Sequence, residues 1–122
     1  MSGTGLILFA HGARDPRWAA PFEAIAAQVR SLQPAAEVRL AYLELMSPTL
    51  PEAAAELVAA GCSEVAVLPL FLGSGGHVRK DLPLLIERLQ NEHRATRFVL
   101  HGAVGEHPAV IAAIADVAAA TL

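Results

Sequence analysis

The stretch 64–83 constrains the fold more than any other part of the chain. It opens with the apolar run 65–71, whose length and valine content predict a strand buried on both faces. Small and polar residues follow: Gly73, Gly75, Gly76, His77, Arg79 and Lys80. We expect a helix to begin at Asp81, with Asp81 as its N-cap and Pro83 in its first turn. A strand that leads through a polar loop into a helix is one unit of an α/β fold, in which ligands bind at this end of the strands.

Three further apolar segments predict strands at 6–10, 37–43 and 96–100. Helices are predicted between and after them from capping signals and from apolar residues spaced three and four apart. The first begins at Asp15 and ends near residue 32, the second begins with a capping box at Thr49 and Glu52, and the third ends near residue 93. Pro108 opens an alanine-rich last helix, 109–120.

Strands that alternate with helices of this length form right-handed crossovers and a parallel sheet. We therefore predict an α/β fold with one four-stranded parallel sheet and helices on both faces. The preferred strand order is 2-1-3-4, as in flavodoxin-like folds, which puts the switch point between strands one and three. With 122 residues, the chain is predicted to be a single domain, 1–122.

Composition and charge narrow the class of protein. The net charge of −3 argues against nucleic acid as the main partner. The single cysteine, Cys62, excludes an intrachain disulfide framework and fits a reducing compartment. No apolar run reaches the ~18 residues of a membrane span, and the N-terminal residues lack the basic segment of a signal peptide. We expect a soluble, cytoplasmic protein.

Three polar residues follow three neighbouring strands of the predicted sheet. They are His11, Glu44 and His77, evenly spaced along the chain. Adjacent strands lie ~4.8 Å apart, so these side chains are placed to converge on one ion. Two imidazoles and a carboxylate suit a divalent first-row metal, and three protein ligands leave positions open for chemistry. No local ligand motif is present, so the alternative that these are ordinary polar loop residues stays open.

Basic residues cluster near the same strand ends. They are Arg14, Arg17, Arg79 and Lys80. Because the helix dipole disfavours cations at helix N-termini, their presence there indicates an anionic ligand. The alternative is that each is a solvated surface charge.

The loop that contains Gly75 and Gly76 is a second candidate for ligand binding. It would suit a phosphate, but it matches neither GxGxxG nor the P-loop pattern.

Several motifs together resemble one known family, the small sirohydrochlorin chelatases. The motifs are His11-Gly-Ala-Arg-Asp-Pro16, Tyr42-Leu-Glu44, Pro69-Leu-Phe-Leu72 with Gly76-His-Val-Arg-Lys-Asp-Leu-Pro83, and Gly105-Glu-His-Pro108. The resemblance covers nearly the whole chain. It implies a chelatase half-domain that inserts a divalent metal into sirohydrochlorin without ATP, in cobalamin or siroheme biosynthesis.

The resemblance also implies roles for named residues. His11 and His77 would bind the metal and accept protons, with Glu44 as a supporting ligand or base. The substrate is a flat tetrapyrrole with eight carboxylates, so Arg14, Arg79, Lys80, Gly75 and Gly76 are its predicted binding residues. The metal, Co²⁺, Fe²⁺ or Ni²⁺, is a substrate, and no other cofactor is expected. The short family members work as homodimers. The alternative is a non-enzymatic module of the same fold that carries metal or tetrapyrrole.

Overall fold

The structure, a computed structural model, describes residues 3–73 and 75–122; Met1 and Ser2 of the N-terminal segment and Ser74 of the glycine-rich loop lie outside the described residues. The strands are β1 (Gly3–Ala10), β2 (Glu37–Tyr42), β3 (Cys62–Pro69) and β4 (Arg97–Leu100). The helices are α1 (Ala20–Leu32), α2 (Leu50–Ala59), α3 (Gly76–Glu92) and α4 (Pro108–Ala119). Short 3₁₀ helices lie at Pro16–Ala19 and Val104–Glu106.

The four strands form one parallel sheet in the order β2-β1-β3-β4, which confirms the predicted topology. Leu8 of β1 stands opposite Leu40 of β2 and Leu68 of β3. The order makes β1 a central strand, with β2 and β3 as its neighbours. The carboxyl ends of these three strands therefore lie side by side along one edge of the sheet.

Alternate residues of β1 point to opposite faces of the sheet. Ile7 and Phe9 are buried in the core that α2 and α3 close with buried leucine and alanine side chains. Leu8 is buried on the other face, where Ala26 of α1 packs against it. Helices therefore cover both faces of the sheet, as predicted.

The predicted capping signals are observed at the first two helical segments. Asp15 accepts a hydrogen bond from the Arg17 N–H, but the segment that it caps is a 3₁₀ turn and α1 begins only at Ala20. Thr49 and Glu52 form the predicted capping box at the start of α2. Each of these side chains accepts a backbone N–H that has no partner within the helix.

The predicted start of α3 was wrong. The helix begins at Gly76 with Gly75 as its N-cap, so Asp81 and Pro83 lie inside it. Glycine serves as an N-cap almost as well as serine. Pro83 has no N–H to donate within the helix, and its ring disfavours a helix interior, yet α3 continues through it to Glu92. His77 therefore belongs to the first turn of a helix rather than to a flexible loop.

The last helix, α4, forms as predicted but contributes little to the core. Apart from Val110, which is half-buried, all of its residues are exposed in the isolated chain. Among the residues that the structure describes, no helix is both long and apolar enough to cross a membrane.

Cys62 lies buried at the start of β3, away from the carboxyl edge of the sheet. Burial, with a smaller contribution from the charge of Glu37, raises the pKa of its thiol. Because the thiolate is the reactive form, we predict that Ellman's reagent labels the native protein at pH 8 far more slowly than free cysteine. Labelling should become complete in guanidinium chloride. Immediate labelling of the native protein would show that Cys62 is accessible.

Candidate metal site

Backbone hydrogen bonds extend the pairing of β1 and β2 beyond their last residues. The Leu43 N–H donates to the Ala10 carbonyl oxygen at 2.9 Å, and the Glu44 N–H donates to that of His11 at 3.0 Å. These two bonds hold His11 and Glu44 on adjacent segments of chain at the carboxyl edge of the sheet. This neighbourhood was predicted from the strand order.

Gly12 allows the close approach of these two segments. Its φ is +93°, in the left-handed region that glycine adopts without strain. A Cβ at this position would also overlap the carbonyl oxygen of Glu44. Both observations require glycine at this position, directly after His11.

Phe71 supports the imidazole of His11. The two rings stack with centroids 4.2 Å apart and planes inclined by 30°. Phe71 is buried, and the Leu70 N–H donates to the Phe9 carbonyl oxygen at 2.7 Å, which holds this segment beside β1. His11 itself is exposed, so its ring rests on an aromatic surface while the residue stays open to solvent. Phe71 was predicted only as the last residue of strand three, but β3 ends at Pro69; its position just past a strand end was the available signal.

His77 is exposed in the first turn of α3 and lines a cavity of about 390 Å³. Phe9 at the end of β1 and Leu43, the residue before Glu44, line the same cavity. Most of its remaining lining comes from α3: Val78, Asp81, Leu82, Leu84, Leu85 and Arg88. The structure therefore places His77 beside the ends of β1 and β2, next to an apolar recess.

The three predicted ligands occupy the same edge of the sheet but do not enclose a common point. Within residues 3–73 and 75–122, no three histidine, cysteine, aspartate or glutamate side chains lie close enough to hold one ion. His11, Glu44 and His77 thus remain the predicted ligand set. His11 and Glu44 are joined by a backbone hydrogen bond, and His77 lines a cavity together with Leu43, the residue before Glu44.

The basic residues near the site differ in their surroundings. Arg17 is engaged by Asp15, with hydrogen bonds of 2.8 to 3.2 Å that lower the pKa of the Asp15 carboxyl. Arg79 lies 4.0 Å from Glu106, an ion pair that is largely exposed to solvent. Arg14 and Lys80 are exposed. Arg17 is therefore held by Asp15, whereas Arg14, Lys80 and, because its ion pair is long and exposed, Arg79 remain available to an anionic ligand.

The two glycines at the start of α3, Gly75 and Gly76, have room around them. Gly75 has an ordinary φ of −67°, and neither Gly75 nor Gly76 has a positive φ. A Cβ at either position would meet no heavy atom of the described residues within 4 Å, its chain neighbours aside. Packing within the chain therefore does not explain why these residues lack side chains, whereas a ligand that approaches the backbone closely would.

Two other histidines lie after β4. The ring of His107 caps α4, because its Nδ1 accepts the Ala109 N–H at 3.1 Å. His101 is exposed, and its backbone N–H donates to the Val67 carbonyl oxygen at 2.9 Å. The structure thus gives His107 a local structural role, and both residues lie beyond β4 rather than at the ends of β1 to β3.

Comparisons with known proteins identify one family. A family model described as CbiX matches residues 5–121. The sirohydrochlorin cobaltochelatase of Saccharolobus solfataricus is 31% identical over 98 residues, which are 78% of this chain and 72% of that protein. Seven further relatives have the same name, and the chain spans between 57 and 63% of the length of each.

Two solved structures share the fold. A CbiX protein of Marinobacter aquaeolei VT8, whose name refers to cobalamin (vitamin B12) biosynthesis, is 36% identical, with a TM-score of 0.83 over 97% of this chain and 96% of that one. The sirohydrochlorin chelatase SirB of Bacillus subtilis subspecies spizizenii, solved in complex with cobalt, is 23% identical, with a TM-score of 0.80. The match covers 93% of this chain and 49% of SirB, and it concerns the fold.

Proposed function

The chain belongs to the CbiX family, and we propose on that basis that it inserts a divalent metal into sirohydrochlorin. One observation carries the proposal: the carboxyl ends of β1, β2 and β3 bring His11, Glu44 and His77 to one edge of the sheet. The cobaltochelatases that it resembles act on the same tetrapyrrole. Co²⁺ or Fe²⁺ is the proposed metal substrate, and the product serves cobalamin or siroheme biosynthesis.

The surroundings of the site suit a flat ring with apolar faces and a charged perimeter. Leu43, Leu45 and Leu72 are 44%, 58% and 73% exposed in the segments that follow β2 and β3. Such side chains can pack against the faces of a macrocycle. The accessible cations Arg14, Arg79 and Lys80 can pair with its carboxylates, and Gly75 and Gly76 leave space for its edge.

The chemistry of insertion requires the removal of two protons. A divalent metal enters the ring as two pyrrole N–H protons leave, so the overall reaction releases two H⁺ for each metal bound. His11 and His77, with Glu44 as a supporting ligand, hold the metal through imidazole nitrogens before transfer. When the metal passes to the pyrrole nitrogens, the imidazole lone pairs become free to accept the departing protons. Metal exchange between two sets of nitrogen ligands needs no ATP.

We predict that the double variant Arg14→Ala/Arg79→Ala raises KM for sirohydrochlorin by ~10- to 100-fold and changes kcat much less. Loss of charge-assisted hydrogen bonds to a remote carboxylate weakens ground-state and transition-state binding alike. Steady-state metallation kinetics measure this effect. The variant Arg94→Ala/Arg97→Ala removes the same charge at the amino end of β4 and should behave as wild type. Unchanged affinity in the Arg14/Arg79 variant would contradict the role given to these cations.

A second candidate function is a non-enzymatic carrier of metal or tetrapyrrole. The exposed position of His11 and the absence of a preformed three-ligand cluster among the described residues are compatible with it. Turnover separates the two functions. The assay uses sirohydrochlorin in hundredfold excess over the protein. A chelatase converts all of the sirohydrochlorin to its metal complex faster than the spontaneous reaction, whereas a carrier accelerates the metallation of at most one equivalent per protein.

We also propose that the protein acts as a homodimer in the cytoplasm. One row of strand ends offers a shallow surface, while binding sites normally bury most of their ligand. A second copy related by a two-fold axis would supply the other wall of a shared cleft.

The proposed location in the cytoplasm rests on the single cysteine. It is a buried free thiol, which fits a reducing compartment.

A further inference from the structure

Leu45, the residue after Glu44, has a backbone conformation that leucine normally avoids. Its φ is +65°, in the left-handed region, where the Cβ of an L-residue crowds the backbone. A bulky residue in this region is an outlier. Within the part of the chain that the structure describes, the other positive φ angles belong to Gly12 and Gly61. The chain therefore has a leucine at a position where glycine would be less strained.

A tight turn imposes this conformation on Leu45. The Met46 N–H donates to the Glu44 carbonyl oxygen at 2.8 Å. A hydrogen bond between residues two apart closes a γ-turn, and the form with a positive φ at its central residue is rare and strained. The Glu44 N–H in turn donates to the His11 carbonyl oxygen at 3.0 Å. The strained turn is therefore joined to the segment that carries the first predicted metal ligand.

Packing within the chain does not account for the leucine. Its side chain is 58% exposed. The next residue, Met46, packs instead against the buried cluster of Ala10, Ala19 and Tyr42. The turn thus brings Met46 into the core and leaves Leu45 at the surface. Neither backbone preference nor burial within this chain explains a leucine at this position.

The surroundings of Leu45 indicate a ligand with an apolar face. Leu43, which is 44% exposed, lies in the same segment and lines the cavity that His77 also lines. Leu72, which is 73% exposed, follows the neighbouring strand β3. Strained residues persist where the surrounding structure enforces them, and they cluster at ligand sites. An exposed, strained leucine next to Glu44 fits such a site.

We propose that Leu45 is a specificity-determining residue whose side chain contacts the face of the tetrapyrrole, and that the strained turn holds it in place for this contact. The inference rests on the proposed function and adds one contact to its substrate. A ring face offers apolar surface rather than charge, so a leucine matches it, whereas the cations of the site match the carboxylates on the perimeter. Because the turn fixes the backbone of Leu45 before binding, less ordering is required when the ligand arrives.

Substitutions at Leu45 separate the side chain from the backbone. Leu45→Ala and Leu45→Gly both remove the apolar contact, so each should raise the Kd for metal-free sirohydrochlorin by at least ~5-fold. Leu45→Met restores a long apolar side chain and should bind within ~2-fold of wild type. The fluorescence of the tetrapyrrole measures binding without metal insertion.

Thermal unfolding tests the strain independently of any ligand. Only glycine adopts a positive φ freely, so the Tm of Leu45→Gly should exceed that of Leu45→Ala by ~2–6 °C. Affinity should therefore follow the side chain, whereas stability follows the backbone. A Tm of Leu45→Gly no higher than that of Leu45→Ala would show that the turn is not strained and would overturn the proposal.

Leu32, the last residue of α1 and 77% exposed, provides the matched control. Leu32→Ala should leave the affinity for sirohydrochlorin unchanged. Salt distinguishes an apolar contact from a charged one. The loss of affinity in Leu45→Gly should be the same at ~0.05 M and ~0.5 M salt, whereas the loss caused by Arg14→Ala/Arg79→Ala should shrink as salt screens the charges.

The outcomes separate this inference from the proposed function. If the wild-type protein binds sirohydrochlorin and both Leu45→Ala and Leu45→Gly bind it equally well, the contact is refuted and the chelatase proposal stands. If the wild-type protein does not bind sirohydrochlorin, both are refuted. Weaker self-association of Leu45→Gly than of Leu32→Ala in sedimentation equilibrium would assign Leu45 to an interface between copies and overturn the proposal.

Discussion

Replacing either His11 or His77 by alanine is expected to reduce the rate of metal insertion into sirohydrochlorin by at least ~100-fold, since positioned acid–base groups alone contribute ~10²- to 10⁴-fold. Each substitution removes both a metal ligand and a proton acceptor. The side chains of His11 and His77 are exposed, so their removal should leave the fold and its thermal stability nearly unchanged. Anaerobic absorbance changes on metallation measure the rate, and thermal unfolding checks the fold.

His93 provides the matched control. His93 is the C-cap residue of α3, a helix of seventeen residues, whereas His77 lies in the first turn of that helix. His93→Ala should therefore retain wild-type insertion rates although it removes the same side chain. Wild-type activity in His11→Ala or in His77→Ala would contradict the assignment of that residue. Equal losses in all three variants would point to a general effect on the protein instead.

Gly12→Ala is expected to lower insertion activity by more than ~10-fold and to reduce stability by more than the ~1–3 kcal/mol of a strained backbone position. The new Cβ would overlap the carbonyl oxygen of Glu44, so the segments that hold His11 and Glu44 must separate. Denaturant unfolding and metallation kinetics measure the two effects.

Gly61 separates backbone strain from overlap. Its φ of +90° resembles that of Gly12, but a Cβ there would meet no heavy atom within 4 Å in the part of the chain that the structure describes. Gly61→Ala should therefore show the cost of the left-handed backbone alone, ~1–2 kcal/mol, with insertion activity unchanged. If Gly12→Ala were no more harmful than Gly61→Ala, the close packing of Gly12 against Glu44 would have no functional importance.

The sequence was sufficient to predict the sheet and the neighbourhood of the site. Alternation of apolar runs with capped helical segments predicted a parallel sheet, for which the flavodoxin-like order 2-1-3-4 was preferred. That order places the residues after β1 and β2 side by side. The observed hydrogen bond from Glu44 to His11 is a continuation of that pairing. Strand pairing depends on the alternation of apolar runs and helical segments along the chain. The sheet and the pairing of His11 with Glu44 could therefore be predicted.

Features that depend on specific contacts were not predictable. The start of α3 was placed too late because Asp81 and Pro83 are strong local capping signals, whereas the helix gains its first turn from residues that pattern alone assigns to a loop. The stacking of Phe71 on His11 depends on how two strand ends approach each other. The exposure of α4 could not be inferred from its sequence, because an apolar helix is ordinarily expected in the core.

The location of bound cobalt tests the central claim most directly. Crystals of the protein grown with Co²⁺ and measured at the cobalt absorption edge would give an anomalous peak at the metal position. The peak should lie ~2.1 Å from an imidazole nitrogen of His11 and of His77, the usual distance from an imidazole to a divalent metal, with the Glu44 carboxylate adjacent. A peak at His101 and His107, or an empty carboxyl edge in a cobalt-saturated crystal, would contradict the assignment of the site.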